Sequence, residues 1–230
     1  MLEFQNAVIG QGTFRLGVDW KVSKGDHLSV IGPSGAGKST LLAGLAGFAD
    51  VISGHIVWDG SNMADRPDQR PIAMLFQDHN LFPHLNIAQN VALGIKPSLR
   101  LSAREKDQVS EALSDVGLAG FEGRKPAELS GGQQSRAALA RVLVQARPII
   151  LLDEPFSALG PAMRTEMLDL VKTLASRLGA ILMMVTHDPV DARRLGGKAV
   201  FVADGVAHAP MSVEALLDNP PAELAAYLGS

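Results

Sequence analysis

The sequence contains no cysteine, which excludes disulfide bonds and any metal site built on thiolates. This absence is typical of a reducing compartment, and we expect the protein to reside in the cytoplasm. The chain also lacks a long hydrophobic run: the longest, Ala180–Val185, is far shorter than the roughly 20 residues of a membrane-spanning helix. Its first residues lack the basic and apolar regions of a secretory signal. Any association with a membrane should therefore depend on a partner protein.

An excess of charge of one sign is also missing. The formal net charge is −3, the isoelectric point is near 6.1, and the lysines and arginines are scattered along the chain. Such a chain produces no broad positive field that would attract a polyanion. We therefore expect no nucleic-acid partner.

The apolar residues that are present predict an α/β fold. At 230 residues, 47% apolar and 20% charged, the chain has the size of one large domain with a substantial core. Short apolar runs bounded by Gly, Pro or Asp are typical of strands. Their lack of alternation favours a mostly parallel sheet that is covered by helices on both faces. The predicted strands are Leu28–Ile31, Ile72–Phe76, Ile149–Leu152, Ile181–Thr186 and Ala199–Ala203.

Two helices are well delimited by their sequence. Ser102 stands three residues before Glu105, a capping box, and the apolar stripe that follows ends at Gly117. A longer helix begins with Pro161 in its first turn and ends at Gly179. On one face this helix carries Met163, Met167, Leu170, Val171, Leu174 and Leu178.

The chain is predicted to form a single domain, 1–230, that consists of a sheet core and an inserted helical segment. Residues 80–146 lack strand patterns and are predicted to form a helical subdomain. The β-rich core then comprises residues 1–79 and 147–230. Within this core, the first 27 residues and Ile56–Trp58 are predicted to form a small antiparallel β portion.

A glycine-rich loop between a predicted strand and a predicted helix indicates a phosphate site. Because its glycines have no Cβ atoms, successive backbone N–H groups can converge on a polyphosphate. The helix start adds partial positive charge, Lys38 adds a full charge toward the β and γ phosphates, and Ser39 offers a hydroxyl to Mg²⁺. The spacing excludes the dinucleotide motif G-x-G-x-x-G. The residues that match G-x-x-x-x-G-K-[ST], a P-loop, are Gly32, Pro33, Ser34, Gly35, Ala36, Gly37, Lys38, Ser39 and Thr40.

Two acids and a histidine follow other predicted strands. Asp153 and Glu154 come at the carboxyl edge of the sheet, where open α/β sheets bind ligands. Because adjacent residues of a strand point to opposite sides, we expect Asp153 to hold hydrated Mg²⁺ and Glu154 to polarise an attacking water as general base. His187 precedes Asp188-Pro189, which predicts a capping residue and a first-turn proline. Taken alone, His187 would more often be structural.

The pentapeptide Leu129-Ser130-Gly131-Gly132-Gln133 resembles the signature of ABC ATPases, which P-loop proteins in general lack. The resemblance covers nearly the whole chain. In the family's order, the P-loop is followed by a Q-loop glutamine at Gln77, the signature, Asp153 with Glu154, and a switch histidine at His187. By this resemblance, the fold is expected to be that of a P-loop NTPase.

The resemblance implies an ATPase that works as a homodimer packed head to tail. Each ATP would lie between the P-loop of one copy and the signature of the other, so that nucleotide and Mg²⁺ complete the interface. Gln77 would also connect the sheet to the helical insertion. The implied catalytic residues are Lys38, Glu154 and His187, and the implied magnesium ligands are Ser39, Gln77 and Asp153.

Partners and location follow from the same resemblance. Family members attach to an integral-membrane permease subunit and, in importers, act indirectly with a substrate-binding protein. The chain would then be peripheral at the cytoplasmic face of the inner membrane. Leu81, Phe82 and Leu85 would help to form the groove that receives a short helix of the permease. The alternative interpretation places these three residues in the core of the helical subdomain.

A finer resemblance concerns the transported solute. The segments Arg70–Phe82 and Asn86–Pro97 look like those of bacterial thiamine-importer ATPases. Importers for iron, sulfate, polyamines or molybdate stay open as alternatives, because the ATPase does not touch the transported molecule. A soluble ABC ATPase of DNA repair would carry a coiled-coil or zinc-bearing insertion, which is missing here. A regulator without catalysis is disfavoured by the presence of both Glu154 and His187.

Three segments depart from the family pattern. Ile9–Gly12 occupies the region where an aromatic residue usually stacks on adenine, and Phe14 is the nearest candidate. We therefore expect looser base selectivity. Gly160 stands where the family has an aspartate that crosses the dimer interface, which should alter communication between sites without preventing ATP binding. Gln134–Arg136 lacks one of the commoner basic residues after the signature.

Overall fold

A computed structural model describes residues 1–76 and 80–228. The strands of the described chain are β1 (Leu2–Gln11), β2 (Phe14–Val22), β3 (His27–Ile31), β4 (Asp50–Trp58), β5 (Ser61–Asn62), β6 (Ile72–Leu75), β7 (Ile149–Asp153), β8 (Ile181–Val185), β9 (Lys198–Ala203), β10 (Val206–Ala207) and β11 (Met211–Ser212). The α-helices are α1 (Lys38–Ala46), α2 (Ile87–Ala92), α3 (Ala103–Asp115), α4 (Gly131–Leu143), α5 (Pro161–Leu178), α6 (Pro189–Leu195), α7 (Val213–Asp218) and α8 (Ala222–Leu228).

The sheet is parallel on one side and antiparallel on the other. Its strand order is β5-β4-β1-β2-β10-β9-β3-β8-β7-β6, and β11 pairs with β9. The strands from β9 to β6 are parallel neighbours, whereas β1, β2, β4 and β5 pair antiparallel. All five residues of β8 are buried, as expected for a parallel strand covered on both faces. The predicted α/β fold with an N-terminal antiparallel portion is confirmed, and the five predicted strands are those of its parallel part.

Helices cover both faces of this sheet. Helices α2, α3, α4 and α5 enclose one hydrophobic cluster on one face, and α1 lies on the other face against the antiparallel strands. Between β6 and β7, the described residues form helices and loops without a strand. The first cluster nevertheless runs without a break from α2 to β7 and α5. The division into a core and a helical subdomain stays a prediction. None of the helices within 1–76 and 80–228 is both long and apolar enough to cross a membrane.

The two helices delimited by sequence have the expected ends. The Ser102 hydroxyl accepts a bond from the Glu105 N–H at 3.3 Å, and the Glu105 carboxylate accepts one from the Ser102 N–H at 2.8 Å. Helix α5 begins at Pro161 and ends before Gly179, which has φ 60°.

The apolar face predicted for α5 is exposed at its two ends. Met163 and Leu178 are 38% and 42% exposed, and the buried stripe runs through the middle of the helix. A helix of 18 residues is about 27 Å long, whereas a five-residue strand spans about 17 Å. The terminal turns of α5 therefore extend past the strands that it covers. The buried residues are Met167, Leu168, Val171, Leu174 and Ala175.

A buried arginine fixes the C-terminal end of α1, the helix that follows the glycine-rich loop. Arg70 is 5% exposed and donates to the Gly44 and Leu45 carbonyl oxygens at 2.6 and 2.7 Å. It also donates to the Ala64 carbonyl oxygen at 2.7 Å. These acceptors include helix-end carbonyls that have no partner within the helix. Arg70 thus ties α1 to the segment that leads into β6.

We expect Arg70→Ala to lower the free energy of unfolding by about 3 kcal/mol, because three carbonyl groups lose their donor in a buried place. Urea unfolding followed by circular dichroism measures the change. Arg66→Ala is the matched control, since Arg66 is exposed and pairs with Asp68 on the surface. Its effect should stay within about 0.5 kcal/mol. Equal effects of the two substitutions would contradict the anchoring role of Arg70.

Candidate functional site

The predicted site residues are grouped at one edge of the parallel sheet. Strand β3 lies between β9 and β8, and its carboxyl end leads into the glycine-rich loop. The neighbouring strands β8 and β7 end at the same edge, where His187 follows β8 and Asp153 ends β7. Parallel pairing therefore brings Asp153 and His187 to the same edge as a loop that lies more than 100 positions earlier in the sequence.

Two glycines of the loop are required by packing inside the chain. The place that a Cβ on Gly32 would need is filled by the Val202 carbonyl oxygen, and a Cβ on Gly37 would lie 2.7 Å from the Phe14 ring. At Gly35, which has φ +78°, no described atom lies within 4 Å of the corresponding position. The loop is therefore closely packed on its inner side and open at Gly35.

Helix α1 begins at Lys38 with its N–H groups available. Gly37 precedes it in a left-handed conformation, and no side chain of the described residues caps this end or places an acid in its first turn. The partial positive charge of the helix start can therefore act on an anion. The Lys38 Nζ atom donates to the Gly32 and Pro33 carbonyl oxygens at 2.7 and 2.8 Å. Burial lowers the pKa of Lys38, and the carboxylates of Glu154 and Asp153 oppose this shift.

Oxygen atoms suited to magnesium lie next to the loop. The Ser39 hydroxyl donates to Asp153 Oδ1 at 3.2 Å. Burial raises the pKa of Asp153, against the hydrogen bond from Ser39. A hydroxyl and a carboxylate side by side fit Mg²⁺, which prefers oxygen ligands and takes few of them from the protein beside a phosphate. Gln77, the third predicted ligand, lies outside the described residues.

Glu154 and His187 face each other across the site. Glu154 Oε2 and His187 Nδ1 are 3.5 Å apart, and both side chains are partly exposed. Strand alternation does not orient Glu154, because β7 ends at Asp153 and Glu154 adopts φ +45°. This left-handed conformation costs roughly 1 kcal/mol or more and is typical of functional sites. The following helix α6 has the predicted cap, with Asp188 accepting from the Val190 N–H at 2.8 Å.

The signature residues form a second helix start. The Ser130 hydroxyl accepts from the Gln133 N–H at 3.3 Å, and the Gln133 side chain accepts from the Ser130 N–H at 3.0 Å. No described atom lies within 4 Å of a Cβ built on Gly131, whereas the corresponding space at Gly132 is filled by the Met163 sulfur. None of the contacts among the described residues joins this start to Lys38, Asp153 or the Glu154–His187 pair.

Two of the departures from the family pattern have a clear position. The Phe14 ring packs over Gly37 and is partly buried, so that it touches the loop. Gln11 accepts a hydrogen bond from the Thr40 hydroxyl at 3.2 Å. Gly160 is the N-cap residue of α5 and offers that helix no capping side chain. These residues border the site, but nothing in their contacts assigns them a role.

Sequence patterns gave no role to Arg164, which the structure places behind the site. Its guanidinium donates to the Ser157 carbonyl oxygen at 3.2 Å and to Asp188 Oδ2 at 3.0 Å. One signal was available: Arg164 is the fourth residue of α5, and cations are unfavourable near a helix N-terminus. A basic residue there needs acidic or carbonyl partners from other elements.

Known proteins resemble the chain over its full length. Residues 16–157 match the profile of the family described as ABC transporter. A thiamine import ATP-binding protein ThiQ from Ruegeria sp. (strain TM1040) is 55% identical over 231 residues, which cover 100% of both chains. The ThiQ of Cereibacter sphaeroides is 53% identical over 230 residues, again covering 100% of both. A dimeric ATP-binding cassette, MJ0796, solved in a post-hydrolysis state bound to ADP and Pi, is 31% identical. The match covers 93% of this chain and 99% of that one, with a TM-score of 0.76.

We expect alanine to destabilise the fold at one signature glycine and not at the other. In Gly132→Ala the new methyl group displaces the Met163 sulfur, which should lower the free energy of unfolding by about 1 kcal/mol. Gly131→Ala adds the same group in open space and should leave this free energy unchanged. Denaturant titration of both variants, and of Gly132→Ala combined with Met163→Ala, measures the coupling. Identical unfolding curves for Gly131→Ala and Gly132→Ala would show that Met163 does not constrain the signature.

Proposed function

The chain belongs to the ABC transporter family, and from this we propose that it is the ATP-hydrolysing subunit of an importer that drives uptake of thiamine through a separate permease. The observation that carries the proposal is 53–55% identity, over the whole chain, to two thiamine import ATP-binding proteins. The permease, and indirectly a substrate-binding protein, are the partners. The subunit is then peripheral at the cytoplasmic face of the inner membrane.

The edge of the sheet binds the triphosphate. Backbone N–H groups of the loop and of the α1 start contact the phosphate oxygens, and Lys38 turns from its loop carbonyls toward the β and γ phosphates. Ser39 and Asp153 would hold Mg²⁺, and we assign Gln77 the same role. When bound, Mg²⁺ supplies positive charge against the charge that develops on the phosphates.

Glu154 and His187 act on the attacking water. Glu154 accepts a hydrogen bond from that water and takes its proton as the water oxygen bonds to the γ phosphorus, whose bond to the leaving ADP oxygen breaks. His187, 3.5 Å from the Glu154 carboxylate, fixes its orientation and contacts the γ phosphate. The left-handed turn at Glu154 supports this role, because it turns the carboxylate away from the strand direction.

A second copy of the chain completes each site. The start of α4 has open space at Gly131, yet none of its contacts within the part of the chain that the structure describes is with the phosphate loop. We therefore propose a head-to-tail homodimer in which Ser130, Gly131, Gly132 and Gln133 of one copy bind the ATP held by the other. The dimeric cassette MJ0796 supports this arrangement, being similar over 93% of this chain.

Exposed phenylalanines support a docking surface for the permease. Phe48, Phe76 and Phe82 are 60%, 38% and 46% exposed, and the centroids of the Phe48 and Phe76 rings are 6.1 Å apart. Of the three residues first assigned to the groove, Phe82 is the exposed one. Leu81 is half-buried against the hydrophobic cluster of α2–α5, and Leu85 is also half-buried. The exposed Phe82 therefore suits the permease groove, whereas Leu81 suits the hydrophobic core.

We assign to the same docking surface a cavity whose lining includes Asn86, four residues after Phe82. It has a volume of about 350 Å³ and lies between α2 and α3, with Ala92, Leu99 and Val109 among its lining residues. Lys106 and Glu122 at the same cavity are polar. A short amphipathic helix of the permease fits such a groove, because its apolar face can be buried while its polar side meets the rim.

We expect the reconstituted importer to take up thiamine at the expense of ATP, and Glu154→Gln to abolish this uptake while ATP still binds. Loss of a general base should slow hydrolysis by roughly 100-fold or more. Because ATP then persists between the two copies, the variant should elute as an ATP-dependent dimer. Lys38→Ala, by contrast, should lose nucleotide affinity.

The measurements are uptake into proteoliposomes, phosphate release and size-exclusion chromatography with and without ATP. Uptake of sulfate, molybdate, iron or a polyamine in place of thiamine would show that the assignment of thiamine is wrong. The assignment of the chain as a transport ATPase would still stand. If Glu154→Gln hydrolysed ATP at the rate of the unsubstituted protein, Glu154 would not be the general base.

We expect Phe82→Asp to uncouple the subunit from the permease, because a carboxylate in the apolar contact surface must be desolvated on binding. ATP hydrolysis by the isolated subunit should be unchanged, whereas co-purification with the permease and thiamine-dependent hydrolysis should be lost. Met211→Asp is the matched control, since Met211 is also 46% exposed but lies on β11. Retained co-purification of Phe82→Asp would contradict the docking surface.

A further inference from the structure

Arg164 connects the two loops that carry Glu154 and His187. Its Nη2 atom donates to the Ser157 carbonyl oxygen at 3.2 Å, in the loop after Glu154. Its Nη1 atom donates to Asp188 Oδ2 at 3.0 Å, in the loop after β8. The side chain is only 19% exposed, so water screens these contacts little.

Each of these two hydrogen bonds connects Arg164, through one neighbouring residue, to Glu154 or His187. On one side, the Ser157 hydroxyl donates to the Glu154 carbonyl oxygen at 3.1 Å. On the other side, Asp188 is the neighbour of His187, and its N–H donates to the Thr186 hydroxyl at 3.1 Å. A change in the position of Arg164 would therefore alter the positions of both Glu154 and His187.

The surroundings of Arg164 are not those that stability alone would favour. Its Nε atom is buried and has no hydrogen-bond partner in the part of the chain that the structure describes. Such an unpaired buried donor is costly, and a cation in the first turns of a helix opposes the helix dipole. A role in a nearby functional site is one physical explanation for such an unsatisfied group.

We propose that Arg164 is a positioning residue for ATP hydrolysis. By bridging Ser157 and Asp188, it holds the Glu154 carboxylate and the His187 ring at their separation of 3.5 Å. The inference rests on the proposed function, in which these two residues orient the attacking water and the γ phosphate. Arg164 itself makes no hydrogen bond to the Glu154 or His187 side chain among the described residues. It acts through the two loops that carry them.

Three variants test the bridge. Arg164→Ala removes the bonds to Ser157 and Asp188 and the ion pair with Asp191, whose Oδ2 lies 3.8 Å from Arg164 Nη1. Arg164→Lys keeps a cation for the carboxylates but cannot serve Ser157 and Asp188 with one planar group. Asp188→Asn keeps a side chain that can cap α6 and removes the ion pair with Asp188, leaving Asp191 as the acidic partner of Arg164. Arg177→Ala is the control, because Arg177 lies on the same helix α5 and pairs with Asp115 on the surface. For each variant, kcat for ATP, the Kd of a non-hydrolysable ATP analogue and the unfolding midpoint are measured.

We expect Arg164→Ala to lower kcat by roughly 10- to 100-fold, as for a catalytic group displaced by about 1 Å, with Kd changed by less than about threefold. Arg164→Lys and Asp188→Asn should fall between Arg164→Ala and the parent protein. Arg177→Ala should stay within about twofold of the parent in all three measurements.

Parent kcat in Arg164→Ala would overturn the proposal, as would a loss of kcat that is matched by an equal loss of nucleotide affinity. Should Arg164→Ala fail to fold, parent kcat in both Arg164→Lys and Asp188→Asn would overturn it instead. A parent protein that does not hydrolyse ATP would refute the proposed function before any variant is compared, so the two failures are distinguishable.

Discussion

The attraction between a buried cation and two carboxylates at the carboxyl edge of the sheet is the interaction on which the site depends. Burial disfavours the charged forms of Lys38 and Asp153, and each of these charges favours the other. Parallel pairing of β3, β8 and β7 brings the segments that carry these groups to the same edge of the sheet. A polyanion with its counter-ion can enter this arrangement without leaving an unpaired charge, which a bare phosphate or a bare metal ion would do.

Glycine serves two distinct purposes in the two anion-binding helix starts. Gly32, Gly37 and Gly132 lie close to Val202, Phe14 and Met163, so a Cβ at any of them would require a neighbouring atom to move. Gly35 and Gly131 have open space instead, and there the missing Cβ leaves backbone N–H groups accessible. Each of the two helix N-termini thus has one glycine that is accessible to a ligand, Gly35 or Gly131. The neighbouring glycines pack against the rest of the chain and hold the segment in place.

Helix α5 links the two starts within one copy. Its first turn carries Met163 on the signature side and Arg164 on the side of Glu154 and His187. Arg136, next to the signature, donates to Glu166 on the second turn at 2.5 Å. In the proposed dimer, where the signature serves the partner's nucleotide, a movement of α5 would reach both sites. The glycine at position 160 leaves this helix start without a capping side chain.

The sequence by itself determined the order of the motifs, the parallel strands and the helix ends. These depend on hydrophobic runs and on caps such as Ser102 with Glu105, whose partners lie within four residues. Only the tertiary structure decided that Glu154 is oriented by a left-handed turn, that Arg164 bridges two loops, and that Met163 covers a signature glycine. Arg164 meets acceptors 7 and 24 positions away. Contacts of this kind form when separate elements pack, so no local pattern encodes them.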